Sequence, residues 1–244
     1  MKKQRTQFDG KFFGEEMVFI SPVRLALWPM LVFLPLFGAL TGCVTSTVDE
    51  MTYNKPADGV GASSIVILGR RHAPDYDTEF DFIDCIGDHI RRGDPSIEVL
   101  NEVEFINDFY PWFEPRTAPM KTQSINYLMQ SKLIAAKFSK LNLQYIIWVD
   151  GKTIDTDSKG SMTCGVGPGM AGCFGFGTWE TESEYEATIW NFNEQVEVGR
   201  VSAVTSGQSY MPAVVVPIPI IAPVQGTACN SLGDQLLEYL SAQY

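Results

Sequence analysis

The stretch LQYIIWVDG, residues 143–151, decides the fold of this 244-residue chain. Tyr145, Ile146, Ile147, Trp148 and Val149 are apolar in unbroken succession. A strand with one wet face alternates polar and apolar residues; one without alternation is covered on both faces and sits centrally in a sheet.

Upstream, TQSINYLMQSKLIAAKFSKLN (122–142) carries Ile134, Phe138 and Leu141 at i, i+4 and i+7, a helical stripe. IEVLNEVEFI (97–106) reads as a strand through Ile97 and Val99. TEFDFIDCIGDHIRRG (78–93) places Phe80, Ile83, Ile86, Gly87 and Ile90 on one helical face, with Thr78 as its cap and Gly93 as its stop. SSIVILGRR (63–71) is a short β-branched run and therefore a buried strand. Downstream the pattern changes. Residues 151–192 show alternation such as Tyr185, Ala187 and Ile189, and residues 194–210 continue it, with Gly199 suited to a turn or bulge. MPAVVVPIPIIAPV (211–224) is apolar but holds four prolines, so it is an edge or extended segment. NSLGDQLLEYLSAQY (230–244) closes the chain as a helix capped by Asn230, with Leu232, Leu236 and Leu240 buried. The order β-α-β-α-β, then antiparallel strands, then a helix predicts an α+β (mixed α/β) fold with helices packed on a mixed sheet.

The amino-terminal region is of another kind. Leu25 to Leu40 is a 16-residue apolar run broken by Pro29 and Pro35, too short for a spanning helix and suited to an export signal. It ends Leu40-Thr41-Gly42-Cys43, which resembles the bacterial lipobox. That resemblance implies cleavage before Cys43, a thioether-linked diacylglycerol on its sulfur and fatty acylation, such as palmitate, of the new amino terminus. Several acyl chains make anchoring stable where one would be marginal. Val44, in place of Asp after the cysteine, implies delivery to the periplasmic face of the outer membrane. Asp9, Glu15 and Glu16 are unusual ahead of such a run, and Met17 opens a more ordinary signal. The expected organisation is a signal peptide over 1–42, a lipidated flexible tether over 43–62 and one periplasmic domain over 63–244. The whole chain has a net charge of −11, and Lys2, Lys3, Arg5, Lys11 and Arg24 lie in the signal. The rest is strongly acidic and repels nucleic acid.

Three segments of the body resemble the TolB amino-terminal and curli-secretion (CsgG-like) periplasmic lipoproteins: SIVILG as first strand, LQYIIWVDGKT after a helix, and SEYEATIWNFNEQVEVGRVSA (183–203) as a late strand pair. The resemblance implies that the late strands extend across the sheet. The Gly-rich Cys164–Cys173 insert and the Pro-rich 211–223 segment depart from that group's pattern and weigh against a shared pore or secretion role.

Cys85, Cys164, Cys173 and Cys229 make an even set in an exported domain, which reads as disulfides. Of the three pairings, Cys164–Cys173 with Cys85–Cys229 is favoured: eight residues, rich in glycine, separate the first two. Zinc would require closer Cys or His spacing, and neither His72 nor His89 is near in sequence. The Gly-rich CGVGPGMAGCFGFG lacks the lysine and helix of a phosphate loop and reads as a clasped hairpin tip. DTDSKG (155–160) begins like a calcium loop, but Lys159 and Val166 occupy positions that need oxygen ligands, so a plain turn is expected. His72, near Asp75, Asp77 and Glu79, suits a general base but has no nucleophile to serve. FYPWFEPRTAP (109–119) offers Tyr110, Trp112, Phe113 and Arg116 as a proline-stiffened partner-binding loop, the rival reading being core aromatics under a connection. No cofactor and no metal is assigned. The resulting expectation is a non-enzymatic envelope lipoprotein that binds an envelope partner or itself. Its alternatives are a periplasmic hydrolase using His72 and Asp75, or a secretion-pore subunit whose hairpin would come from residues 195–220.

Overall fold

A computed structural model describes residues 44–52, 60, 63–71 and 77–241, with side chains beyond Thr47 in the first segment excepted. Cys43, His72, Asp75 and the signal region lie outside the described residues. The strands are β1 (Val44–Thr52), β2 (Ser64–Gly69), β3 (Glu98–Leu100), β4 (Leu143–Gly167), β5 (Met170–Asn191) and β6 (Val196–Pro217). The helices are α1 (Phe80–Gly93), α2 (Glu102–Asp108), α3 (Thr122–Met129), α4 (Lys132–Phe138) and α5 (Val224–Leu240). All six strands form one mixed sheet in the order β1-β6-β5-β4-β2-β3. Strands β2, β3 and β4 are parallel, and β4, β5, β6 and β1 are antiparallel neighbours. The α+β class is the one expected.

Strand β4 is central because of its 143–149 run. Tyr145, Ile147 and Val149 face α1 and α5, in a core with Ile65, Ile67, Tyr185 and Leu236. Ile146 and Trp148 face the other way, toward Phe105, Phe109, Phe113 and Phe138. Continuous apolar sequence thus fills two cores at once. Arg70 closes the second: its guanidinium lies 4.4 Å above the Trp148 ring, and its Nε is 3.3 Å from Asp150.

The local expectations meet several corrections. Residues 44–52 are not tether: they pair with β6 from Val44 opposite Gly207 to Thr52 opposite Gly199. Val44, Thr45, Val48 and Met51 gave too sparse an alternation to mark a strand, and an edge strand needs only one partner. Residues 97–106 divide. Only Glu98–Leu100 is strand; Asn101 then accepts a 3.1 Å bond from the Glu104 N–H and starts α2, with Glu102 and Glu104 favourably placed in its first turn. Thr78 does not cap α1: its hydroxyl donates to the Val149 carbonyl at 3.0 Å. Phe82, not Phe80, is buried on α1, and Phe80 lies exposed beneath the Arg71 guanidinium. Helix α5 begins at Val224, so Asn230 is interior to it. Residues 155–160 are strand with a bulge between Asp155 and Asp157, not a turn. Gly93 ends α1 and also lets it approach α5, since a Cβ there would stand 2.2 Å from Leu237 Cδ2.

Candidate functional site

Strands β4 and β5 are 25 and 22 residues long, several times the usual length. Their base halves carry the two cores. Beyond Gly151 they run on with β6 as a ribbon, which β1 and the start of α5 flank as far as Gly207, opposite Thr181, and whose tip turns at Gly167–Met170. Gly169 there has φ +92, a conformation that side chains disfavour. Cys164 stands opposite Cys173 in the register and is bonded to it. The second bridge, Cys85–Cys229, joins α1 to α5. Both bridges follow the favoured pairing.

A network fixes the ribbon to the body. The Tyr185 hydroxyl donates to Glu79 at 2.6 Å, the Thr153 N–H donates to the same carboxylate at 3.0 Å, and the Thr153 and Ser183 hydroxyls are 2.7 Å apart. Burial first, then the bond to Glu79, pushes the Tyr185 phenol well above its usual range. The Tyr185 ring stacks on Phe82. Next along one face come Glu186, Glu184, Glu182 and Glu180, at every second residue of β5, with Lys152 opposite Glu184 and Arg200 bridging Glu186 at 3.1 Å.

The far part of the ribbon is apolar and bare. Val166 is 90% exposed, Met170 78% and Val214 75%, with Phe174, Phe176, Val215 and Val216 also exposed. A shallow hollow of about 480 Å³ lies among them. Sequence reasoning treated the Gly-rich insert as a clasped tip but missed this surface. The signal was present: residues 160–179 and 201–233 contain no Asp, Glu, Lys or Arg, in a chain of net charge −11.

The other candidates fare differently. The aromatic loop is divided: Phe109 and Phe113 are core, Trp112 is half-buried, and Tyr110 and Arg116 are exposed. Phe113 is therefore withdrawn as a contact residue, because its ring fills space against Phe105 and Trp148. At the carboxyl ends of β2 and β4, where ligand sites often form in such sheets, Arg71 makes a bidentate pair with buried Glu102 at 2.9 and 3.0 Å. The same carboxylate accepts the Gly69 N–H at 2.6 Å. The adjoining cavity is about 20 Å³, room for about one water. These charges are spent on one another. Among the described residues no three His, Cys, Asp or Glu side chains converge as metal ligands would, and no helix is long and apolar enough to cross a membrane.

No family model and no curated protein matches the chain. Among solved structures it is similar to the PelC dodecamer of Paraburkholderia phytofirmans, at 12% identity and a TM-score of 0.39, covering 82% of this chain and 100% of that one. A leucine-to-methionine variant of PelC from the same organism, also a dodecamer, gives 13% identity and a TM-score of 0.38, with the same coverage. Likeness at this level transfers neither assembly nor activity.

Proposed function

We propose that this chain is an envelope lipoprotein, held by acyl chains on Cys43 at the periplasmic face of the outer membrane. Its folded part works by contact rather than catalysis, joining an envelope assembly with another envelope protein or with further copies of itself. The ribbon carries this reading. Soluble domains rarely leave a contiguous apolar surface bare, and such a surface on a projecting element marks a protein or membrane contact. The Arg71–Glu102 pair beside Gly69 supports the same view, because among the described residues its charges satisfy one another and the Gly69 N–H.

The test is in-cell crosslinking with a photoreactive amino acid at Glu182, on the ribbon, and at Tyr127, on the exposed side of α3. Protein adducts from position 182 and none from 127 are expected. Adducts from 127 alone would overturn the ribbon as the contact element. Loss of a cellular activity on His72→Ala or Asp75→Ala, with adducts at 182 unchanged, would favour the hydrolase alternative instead.

A further inference from the structure

We propose that the end of the ribbon contacts membrane lipid, dipping into the headgroup–acyl boundary of the bilayer that holds the anchor. This rests on the anchored reading above and names the occupant of the ribbon's apolar end.

The residues are ordered along the ribbon as a bilayer would require. Nearest the body is a charged zone, with Asp155, Asp157, Glu180 and Glu182 on neighbouring strands. Glu180 is the last charge on β5 and Arg200 on β6; on β4 Lys159 reaches the level of Tyr210, opposite Thr178, and pairs back to Asp157 at 2.6 Å. Next come Trp179 opposite Ser158 and Ser209, and Tyr210 opposite Thr178, with the Phe176 ring 6.1 Å from that of Tyr210. Trp and Tyr are the side chains that favour the membrane–water interface. Last is the bare apolar group of Val166, Met170, Phe174 and Val214–Val216.

The chain enters the sheet at the matching level. Val44, the residue after Cys43, pairs with Gly207, which pairs with Thr181, one step bodyward of Glu180. Strand β1 is antiparallel to β6, so Val44 is the end of β1 nearer the tip. Acyl chains on Cys43 would therefore begin beside the charged-to-aromatic boundary, and the bare apolar group would extend beyond it in the same direction.

The depth follows from length and hydrogen bonding. The eight residues Gly160–Gly167 span about 25 Å, more than one leaflet's hydrocarbon of about 15 Å. Yet β4 pairs with β2 only as far as Val149, and from Asp150 outward that edge has no neighbouring strand among the described residues. Bare backbone groups are not tolerated in hydrocarbon, so a single ribbon does not cross. It lies obliquely, with the side chains of its turn and aromatic strip in the boundary layer. A second copy covering the apolar end is the competing occupant. The sequence of charge, then Trp and Tyr, then bare apolar residues, aligned with the anchor point, favours lipid.

The experiment uses the full chain as the cell processes it, purified in detergent and returned to vesicles of phosphatidylethanolamine and phosphatidylglycerol that carry a diazirine on one acyl chain. After irradiation, peptide mass spectrometry reads where lipid attaches, and the mass of the amino-terminal peptide reads the state of Cys43. Adducts on peptides containing 166–176 and 214–218 are expected. The paired variant Met170→Glu with Phe174→Glu should lower tip adducts about tenfold or more while both disulfides remain. Both residues are exposed, so folding is not at issue. Adducts confined to the amino-terminal peptide would overturn the proposal, as would a tip that crosslinks only to protein. A tip adduct with unmodified Cys43 would sink the anchor while leaving lipid contact standing; a lipidated Cys43 with an unlabelled tip would do the reverse. Ion conductance across the vesicles would show crossing and overturn the boundary placement.

Discussion

The same three strands behave in two ways along their length. At their base, β4 and β5 are sandwiched between α1 and α5 on one face and the aromatic core of α2 to α4 on the other, while β6 buries alternate residues such as Val201 and Ala203 in the first core. Farther out they keep pairing with no helix against them. In the base, register is specified by burial, because a slip of one residue would turn Tyr145, Ile147 and Val149 out of their core. In the ribbon, burial says little. Register is held there by the 164–173 bridge, the Asp155–Asp157 bulge and continuity with the base. Stability therefore resides in one half, and the contact surface is presented by the other.

Disrupting the base should cost most. Replacing Cys85 and Cys229 together by Ser opens a link across 144 residues and should lower unfolding free energy by about 4 kcal/mol, measured by denaturant titration. Leu236→Ala, at 0% exposure between α5 and the sheet, should cost about 3 kcal/mol in the same assay. Alkali tests the junction between the halves. Tyr185 and Tyr239 have phenols raised mainly by burial, so the folded state holds those protons more tightly than the unfolded chain. Their contribution is whole below the unfolded value near 10 and is lost as pH climbs past it. Stability should fall from about pH 10 upward, by at most about 1.4 kcal/mol per pH unit for each tyrosine. A Tyr185→Phe variant, lower in stability at neutral pH, should show a shallower fall. The smallest effect belongs to the ribbon. Cys164→Ser with Cys173→Ser should change global stability by under about 1 kcal/mol, since the tip has no core to release. It should nonetheless speed amide exchange over 160–177 and leave 143–149 untouched. An equal loss of protection in both stretches would erase the distinction between base and ribbon.

What could be read from residues alone follows the same division. Burial leaves a periodic trace, so the 143–149 strand, the α4 stripe and the Leu232–Leu236–Leu240 face were legible. The cysteine pairing was legible because glycine-rich spacing and an even count constrain it. Strand β1 was not, since an edge strand with one neighbour imposes little pattern. The split at Asn101 was hidden because Val99 and Phe105 suit a strand as well as a helix until the cap at Asn101 is seen. The ribbon's bare end was the largest miss. Its glycines and prolines suggest loop, and its meaning lies in missing charge over two separate segments that only the β5–β6 register brings side by side.

The edge position of β1 also has a mechanical consequence. Its nine residue pairs lie parallel to the ribbon, with Val44 at the outer end. Tension applied to the chain ahead of Val44 and directed along the ribbon reaches the sheet as shear, loading all nine rungs together instead of peeling them one by one. A pull at right angles would unzip them in turn. The attachment of β1 to the sheet is thus strong along one axis and weak across it.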